Sequence, residues 1–382
     1  MGMNMNYLLD SPALKDIQNA LNLIALGNVT DINDWDDIAR IVRNGLGAKA
    51  FPIGTQLSVS RGEGITPYVF DVVDHRTVTD AATGDSKPGM ALLLHRVIYD
   101  RAFDAVEALF YCESALPAGT YHFTIPNYDA TYGGNKTYQF TLTSQVPAKG
   151  QIVFNWGYNQ QVTAGNIKTY SSATSTEAIE TATLSEGTGG TDLGTADGTT
   201  TNMNHIQRAR YGSNNYKESA IRQWINANGA AGSWWAASNK FDRPVGYAAS
   251  VAGFLNGVDS KFLNAVRATN IPCKTNNTFE LTGWTLNTAY TVQDKFFLAS
   301  RNELGYGTEN VAEGSVFKLY DGATNADRIK YDFSSTATAR DWWMRSPYPG
   351  GASGVRRVLT VGSLYSHYAY DGLGAVPACI IC

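Results

Sequence analysis

The chain has 382 residues, with 30 Lys and Arg against 34 Asp and Glu and a formal net charge of −4, which excludes the broad basic field that gathers nucleic acid. Only 17% of residues are charged, while 37 are Gly and 21 are Tyr; that balance points to a β- and loop-rich surface of the kind common on extracellular and virion proteins. No long apolar run is present, so no membrane-spanning helix is expected, and the opening MGMNMNYLLDSPALKD lacks the basic, apolar and small-residue parts of a secretory signal.

In chain order, residues 11–26 predict a helix. Ser11 can cap it, Pro12 suits its first turn, and Leu14, Ile17, Leu21 and Ile24 keep helical spacing. Residues 33–46 predict a second, with Asp34, Asp36 and Asp37 at its N-terminal end and Arg40 and Arg43 at the other. FPIGTQLSV (51–59), YVFDVVD (68–74) and ALLLHRVIYD (91–100) read as strands, as do TYHFTI, KTYQFTLTS and QIVFNW between 120 and 156. Residues 171–201 are mostly small and polar and predict a long exposed loop. Helices are expected at 216–229 and 251–269, and a strand or helix at 294–307. A short Trp-rich element, a loop and a strand pair containing Val355, Val358 and Val361 follow.

Catalytic and metal chemistry leave little trace. Cys379 and Cys382 form a C-x-x-C, but Cys112 and Cys273 do not supply the second pair that zinc needs, so all four read as buried or terminal thiols. His75, His95, His122, His205 and His367 are scattered without ligand spacing. The acidic stretch DINDWDD (31–37) has oxygen ligands that suit calcium, yet it opens a helix and reads as caps and solvated charge. No serine elbow or phosphate-cradling glycine loop occurs. Neither an enzyme nor a cofactor nor a bound metal is expected.

Five strings occur in order over residues 219–381: SAIRQWIN, DKFFLASRNELG, DWWMRSP, VRRVLTVGSLY and VPACII. Together they resemble the variable proteins of diversity-generating retroelements, found in phages and bacteria of gut communities. That resemblance implies an α+β fold, a C-type-lectin-like domain related to formylglycine-generating enzymes. It would span 49–382, with a β-rich insertion at about 103–204 and a variable ligand-binding region at about 345–376. Residues 1–48 would form an N-terminal helical segment for oligomerisation or attachment. In such proteins a reverse transcriptase misreads template adenines, and the altered copy replaces the 3′ end of the gene. Variable codons of the AAY type cannot yield Lys, Glu, Gln, Met or Trp, and residues 348–376 contain none of these.

Matched to the family frame, the variable positions are Tyr348, Gly350, Gly351, Ser353, Gly354, Arg357, Leu359, Val361, Tyr365, Ser366, His367, Tyr368, Tyr370, Asp371 and Leu373. Trp342, Trp343, Arg345, Ser346 and Pro347 before them, and Val376, Pro377, Ala378 and Ile380 after them, are scaffold. So, among them, are Val355, Arg356, Val358, Gly362, Ser363, Leu364, Ala369 and Gly374. Read without the resemblance, the tyrosines are equally ordinary strand residues and Gly350 and Gly351 turn glycines. Tyr, Ser, Gly and Asn are also the vocabulary of antibody loops, where rigid aromatic area and adaptable polar contact serve binding. The implied function is hypervariable receptor recognition by a phage-encoded protein acting at a virion or extracellular surface. Its partner would be a bacterial surface protein or glycan, and trimeric display is known in the family. The alternative is a lectin-like protein of fixed specificity that binds carbohydrate without calcium; the calcium-site strings of C-type lectins are missing here.

Overall fold

A computed structural model describes residues 34–106, 110–125, 136–154, 163–195, 212–275, 288–309, 311–335, 337–349 and 353–382. Strand makes up 39% and helix 11%. The expected α+β, C-type-lectin-like arrangement is therefore corrected: the protein is mostly β, and its helices are short. Helix α1 (Trp35–Arg43) is the longest of these. α2 is Gly47–Ala50, α3 Ala220–Ile225 and α4 Ser260–Ala265. Periodicity overstated the length of the helices at 216–229 and 251–269: only Ala220–Ile225 and Ser260–Ala265 are helical, and Phe254 and Leu255 sit in a turn. Within the loop expected at 171–201, alternating Thr-rich chain forms strands at Glu180–Glu186 and Thr191–Thr195, while 196–201 lie outside the described residues. The helix expected at 11–26 lies outside the described residues.

α1 follows local rules closely. The Asp34 side chain accepts from the Asp36 N–H at 2.9 Å, and the helix buries Trp35, Ile38, Ala39, Ile41 and Val42. It lies against α4, where Trp35 meets Phe262 edge-on at 4.6 Å, and against a five-stranded antiparallel sheet. That sheet runs β1 (Gln56–Val59), β2 (Tyr68–Thr79), β3 (Ser86–Leu94), β19 (Pro377–Ile381), β14 (Phe296–Leu298). The closing run of the chain is thus an interior strand, with Ala378 opposite Leu93 and Phe297 on its two sides. All five residues of β19 are buried, as is Cys382. All four cysteines are free and buried, and burial pushes the thiols of Cys112 and Cys273 up to about 12.

A seven-stranded sheet occupies the stretch from Phe110 to Thr195. Its strands are β5 (Phe110–Tyr111), β6 (Gly119–Ile125), β7 (Lys136–Leu142), β8 (Gln151–Val153), β9 (Gly165–Tyr170), β10 (Glu180–Glu186) and β11 (Thr191–Thr195), in the spatial order β11-β6-β7-β10-β9-β8-β5. It has its own apolar cluster around Phe110, Phe123, Phe140 and Phe154. Polar contacts join it to the rest. Gln151 Nε2 donates to the Lys240 and Asp242 carbonyls at 2.7 and 3.2 Å, and Arg243 covers the Tyr170 ring at 3.7 Å while donating to the Ser172 and Ser175 carbonyls.

Two further sheets complete the fold. β12 (Thr269–Thr275) and β13 (Thr288–Asp294) form an antiparallel ribbon. The last sheet has the order β17 (Leu364–Tyr368), β16 (Gly354–Val358), β15 (Trp342–Pro347), β18 (Gly372–Ala375), β4 (Ile98–Ala102). Only the β15–β18 pair is parallel. Among the described residues no helix is long and apolar enough to cross a membrane.

Candidate recognition surface

β15 is the floor of the surface, and all six of its residues are buried. Trp343 Nε1 donates to the Arg101 carbonyl at 2.8 Å and Trp342 Nε1 to the Arg328 carbonyl at 3.3 Å. Arg345 meets Glu303 at two points and also donates to the carbonyls of Pro272, Leu298 and Glu313. Its guanidinium stays charged despite full burial, because the Glu303 carboxylate offsets the lost hydration.

The β16–β17 hairpin continues the same sheet outward from this floor strand, β16 pairing with β15. Its turn is closed by the Leu359 N–H on the Ser363 carbonyl at 2.9 Å and the Gly362 N–H on the Leu359 carbonyl at 2.8 Å. Gly362 has φ +75, and a Cβ there would overlap the Asn325 carbonyl. The Gly362 carbonyl accepts the Tyr306 hydroxyl. Arg357 stands opposite Tyr365 and Val355 opposite His367, so Arg357, Tyr365 and His367 share one face. The Arg357 guanidinium lies 5.6 Å from the Tyr365 ring and donates to Asp341 Oδ2 at 2.7 Å. His367 Nε2 is 3.1 Å from Asp371 Oδ2. Burial pulls the imidazole below its ordinary range, with the Asp371 charge opposing. On the opposite face Arg356 covers the Tyr348 ring at 4.7 Å and pairs with Glu309. Tyr368 stacks on Tyr370, with ring centroids 6.3 Å apart.

The fifteen positions named from sequence do not share one environment. Val361, Tyr365 and Tyr370 are 62%, 59% and 39% exposed. Tyr348, Arg357, Leu359, Ser366, His367, Tyr368 and Asp371 are half-buried. Ser353, Gly354 and Leu373 are buried, each for a local reason. The Ser353 carbonyl accepts the Ala369 N–H at 2.8 Å, a Cβ on Gly354 would press on Tyr348, and Leu373 sits in the strand pair between β18 and β4. Gly350 and Gly351 lie outside the described residues. Of the positions named as scaffold within the segment, Val355, Val358, Gly362, Ala369 and Gly374 are buried.

Residues far off in sequence also build this surface. Asn214 is buried, and its Nδ2 donates to the Gly354 carbonyl at 2.9 Å, bracing the base of the 348–354 loop. Glu309 takes Arg356 from β16 and lies 3.7 Å from Arg301 and 3.8 Å from Lys274. Asp341 holds both Arg357 and the Thr360 N–H. No short-range signal marks these residues, because each meets its hairpin partner across at least sixteen positions of chain. Among the described residues, no three His, Cys, Asp or Glu side chains gather as a metal site would require.

The fold and surface define a mostly-β protein that presents a tyrosine-bearing edge hairpin beside a wholly buried strand. The chain belongs to the DUF6273 family, a domain of unknown function, whose model matches residues 191–382. No curated protein and no solved structure matches the chain. The matched stretch runs from β11 to the C-terminus and contains the whole hairpin surface. It does not contain β3, on which β19 pairs.

Proposed function

We propose that this chain is a recognition protein that binds a macromolecular ligand through the β15–β17 surface, without turnover. Its outward side chains are rewritten by a retroelement acting on the 3′ end of its gene. The ligand is a bacterial surface protein or glycan, and the site of action is a virion or extracellular surface. The observation that carries this reading is the division within one hairpin. Val355, Val358 and Gly362 are buried, while Val361 and Tyr365 between and beside them stand out to solvent. A surface that is to vary must leave the folding residues alone, and here the two sets are interleaved and largely distinct, with Ser353, Gly354 and Leu373 the buried exceptions. Tyrosine gives such a surface large contact area at little entropic cost. The reading does not depend on a lectin fold: it needs only a floor whose stability is independent of the outward residues. Weak single sites would gain from display in several copies.

Deep sequencing of the gene's 3′ end in a natural population tests this. Substitutions concentrated at codons 348–373, with Trp343, Pro347 and Pro377 fixed, are the expected result. Variation spread evenly along the gene would sink it and return the protein to fixed-specificity, calcium-independent carbohydrate binding.

A further inference from the structure

The outer edge of β2 carries a groove that the hairpin surface does not use. β1 covers β2 only over Tyr68–Asp71, whereas β3 pairs with it as far as Thr79. Beyond β1, this edge faces β12. The two strands meet at a single antiparallel bridge, Asp80 opposite Thr269, beside which the Ala81 N–H donates to the Ala268 carbonyl at 2.9 Å. Continued three residues further, that register would set Thr77 opposite Pro272. Proline has no N–H to give, and the Pro272 carbonyl is taken by Arg345 Nε at 3.0 Å. The ladder has nothing to continue with, and the strands part.

What is left between them is recognisable as a strand-shaped site. Backbone groups of alternate residues in an antiparallel strand turn to the same side. Ala81 bonds toward β12, so Thr79, Thr77 and His75 turn that way too. The His75 N–H is satisfied by Asp74 Oδ1 at 2.9 Å, and Thr77 is exposed. The cavity beside this edge measures about 530 Å³, and residues 314–318 also line it. Val78, Phe297, Phe317 and Ile380 give it an apolar lining. Thr269 also lines it, is 2% exposed, and its hydroxyl has no hydrogen-bond partner among the described residues. A buried hydroxyl without a partner is costly, and it marks a place for an acceptor or donor from outside. The charges at the groove are already neutralised in place: Arg76 by Asp74, Glu303 by Arg345 and Lys318 by Asp321. Charge complementarity therefore favours an uncharged occupant.

We propose that this groove takes an extended, uncharged peptide segment of a partner protein, added as a strand on the edge of β2. Its backbone would use the groups that Pro272 leaves unmatched. Alternate side chains would fall on the apolar lining, the usual division of labour in strand addition. This site is separate from the tyrosine hairpin, and neither proposal depends on the other.

The test is to pan a displayed library of random octapeptides on the full chain, then to scan the best binder by N-methylation of each backbone amide in turn. Losses of about ten-fold or more at alternate residues, with the residues between unaffected, are expected. The same peptide should bind Thr77→Pro, which removes the edge N–H, at least about ten-fold more weakly. Failure to enrich any peptide overturns the proposal, as does a methylation scan without alternation. Peptides that tolerate Thr77→Pro but are lost on Tyr365→Ala would also overturn it, since they would belong to the tyrosine surface. If Thr77→Pro does not fold, the methylation scan on the unaltered chain decides alone.

Discussion

Arg345 and Glu303 are joined by two hydrogen bonds, Nη1 to Oε2 at 2.5 Å and Nη2 to Oε1 at 3.0 Å, with the guanidinium wholly out of solvent. The pair links β15 to the turn after β14, and through the Pro272 carbonyl it also reaches β12. Removing one partner leaves an unpaired charge in the interior. Glu303→Gln or Arg345→Met should therefore destabilise the fold by about 3–5 kcal/mol. Arg345→Lys should recover little, since an ammonium cannot reproduce the two-point contact. Urea unfolding followed by tryptophan fluorescence measures both, and a loss below about 1 kcal/mol for Arg345→Met would show that the pair does not hold the floor.

Gly362 separates two costs that are often merged. Its φ of +75 is shared with Gly322, which has φ +72 and open space around it, whereas a Cβ at 362 would strike the Asn325 carbonyl. Gly322→Ala should cost about 1–2 kcal/mol, the left-handed penalty alone. Gly362→Ala should cost clearly more, because backbone must move as well. Equal shifts in thermal midpoint for the two variants would contradict the close approach of the turn to Asn325.

The outward tyrosine should behave oppositely to the buried floor strand of its sheet. Tyr365 is more than half exposed and Trp343 is not exposed at all. Tyr365→Ala should change unfolding free energy by no more than about 0.5 kcal/mol, while Trp343→Ala should cost about 3–5 kcal/mol. A large loss of stability in Tyr365→Ala would mean that the tyrosine is structural, against the proposed role of the hairpin.

How much of this was legible in the sequence depended on how local the cause is. The cap and charge order of α1 rest on neighbours within one turn, and the Asp34, Asp36 and Asp37 pattern shows them directly. VPACII was legible only as fixed scaffold; that it is a strand, and that it sits between β3 and β14, long-range pairing decides. Helix was over-read at 251–269 because Val251, Phe254, Leu255 and Val258 have helical spacing yet sit in turns, held by contacts such as the Leu255 N–H on the Ala227 carbonyl at 2.9 Å. Strand was under-read at 180–195 because Thr-rich alternation with one buried residue in β10, Leu184, carries little apolar signal. The supports of the hairpin, Asn214, Glu309 and Asp341, were invisible for the same reason: each meets its partner only after folding.

His367 gives the surface a pH dependence whose sign can be worked out. Burial lowers its pKa in the folded protein relative to the unfolded chain. Between that lowered value and about 6.5 the unfolded state binds more protons than the folded one, so stability rises with pH across this window. Acidification from neutral should therefore weaken the folded state as pH falls below about 6.5, and the effect should level off beneath the folded pKa. His367→Gln should flatten the unfolding curve in this window alone. An upward NMR shift of the imidazole pKa above about 6.5 would show that the Asp371 charge, and not burial, dominates.

Tyr348 and Gly354 should constrain each other. They close the loop between β15 and β16, where the Tyr348 N–H donates to the Gly354 carbonyl at 2.8 Å. A Cβ added at 354 would lie 3.0 Å from both Cβ and Cδ1 of Tyr348. Such a contact is tighter than nearly all packed Cβ atoms show, so Tyr348 must shift by a few tenths of an ångström, against the Arg356 guanidinium that covers its ring. Gly354→Ser alone should therefore destabilise the hairpin, while the same change in a Tyr348→Ser background should cost less. The double-mutant cycle should show a coupling of about 0.5–3 kcal/mol. If both positions are rewritten in nature, side chains at 354 should occur together with small residues at 348. Free combination of large residues at both would mean that the loop re-forms around each pair, and additive single-mutant effects would lead to the same conclusion.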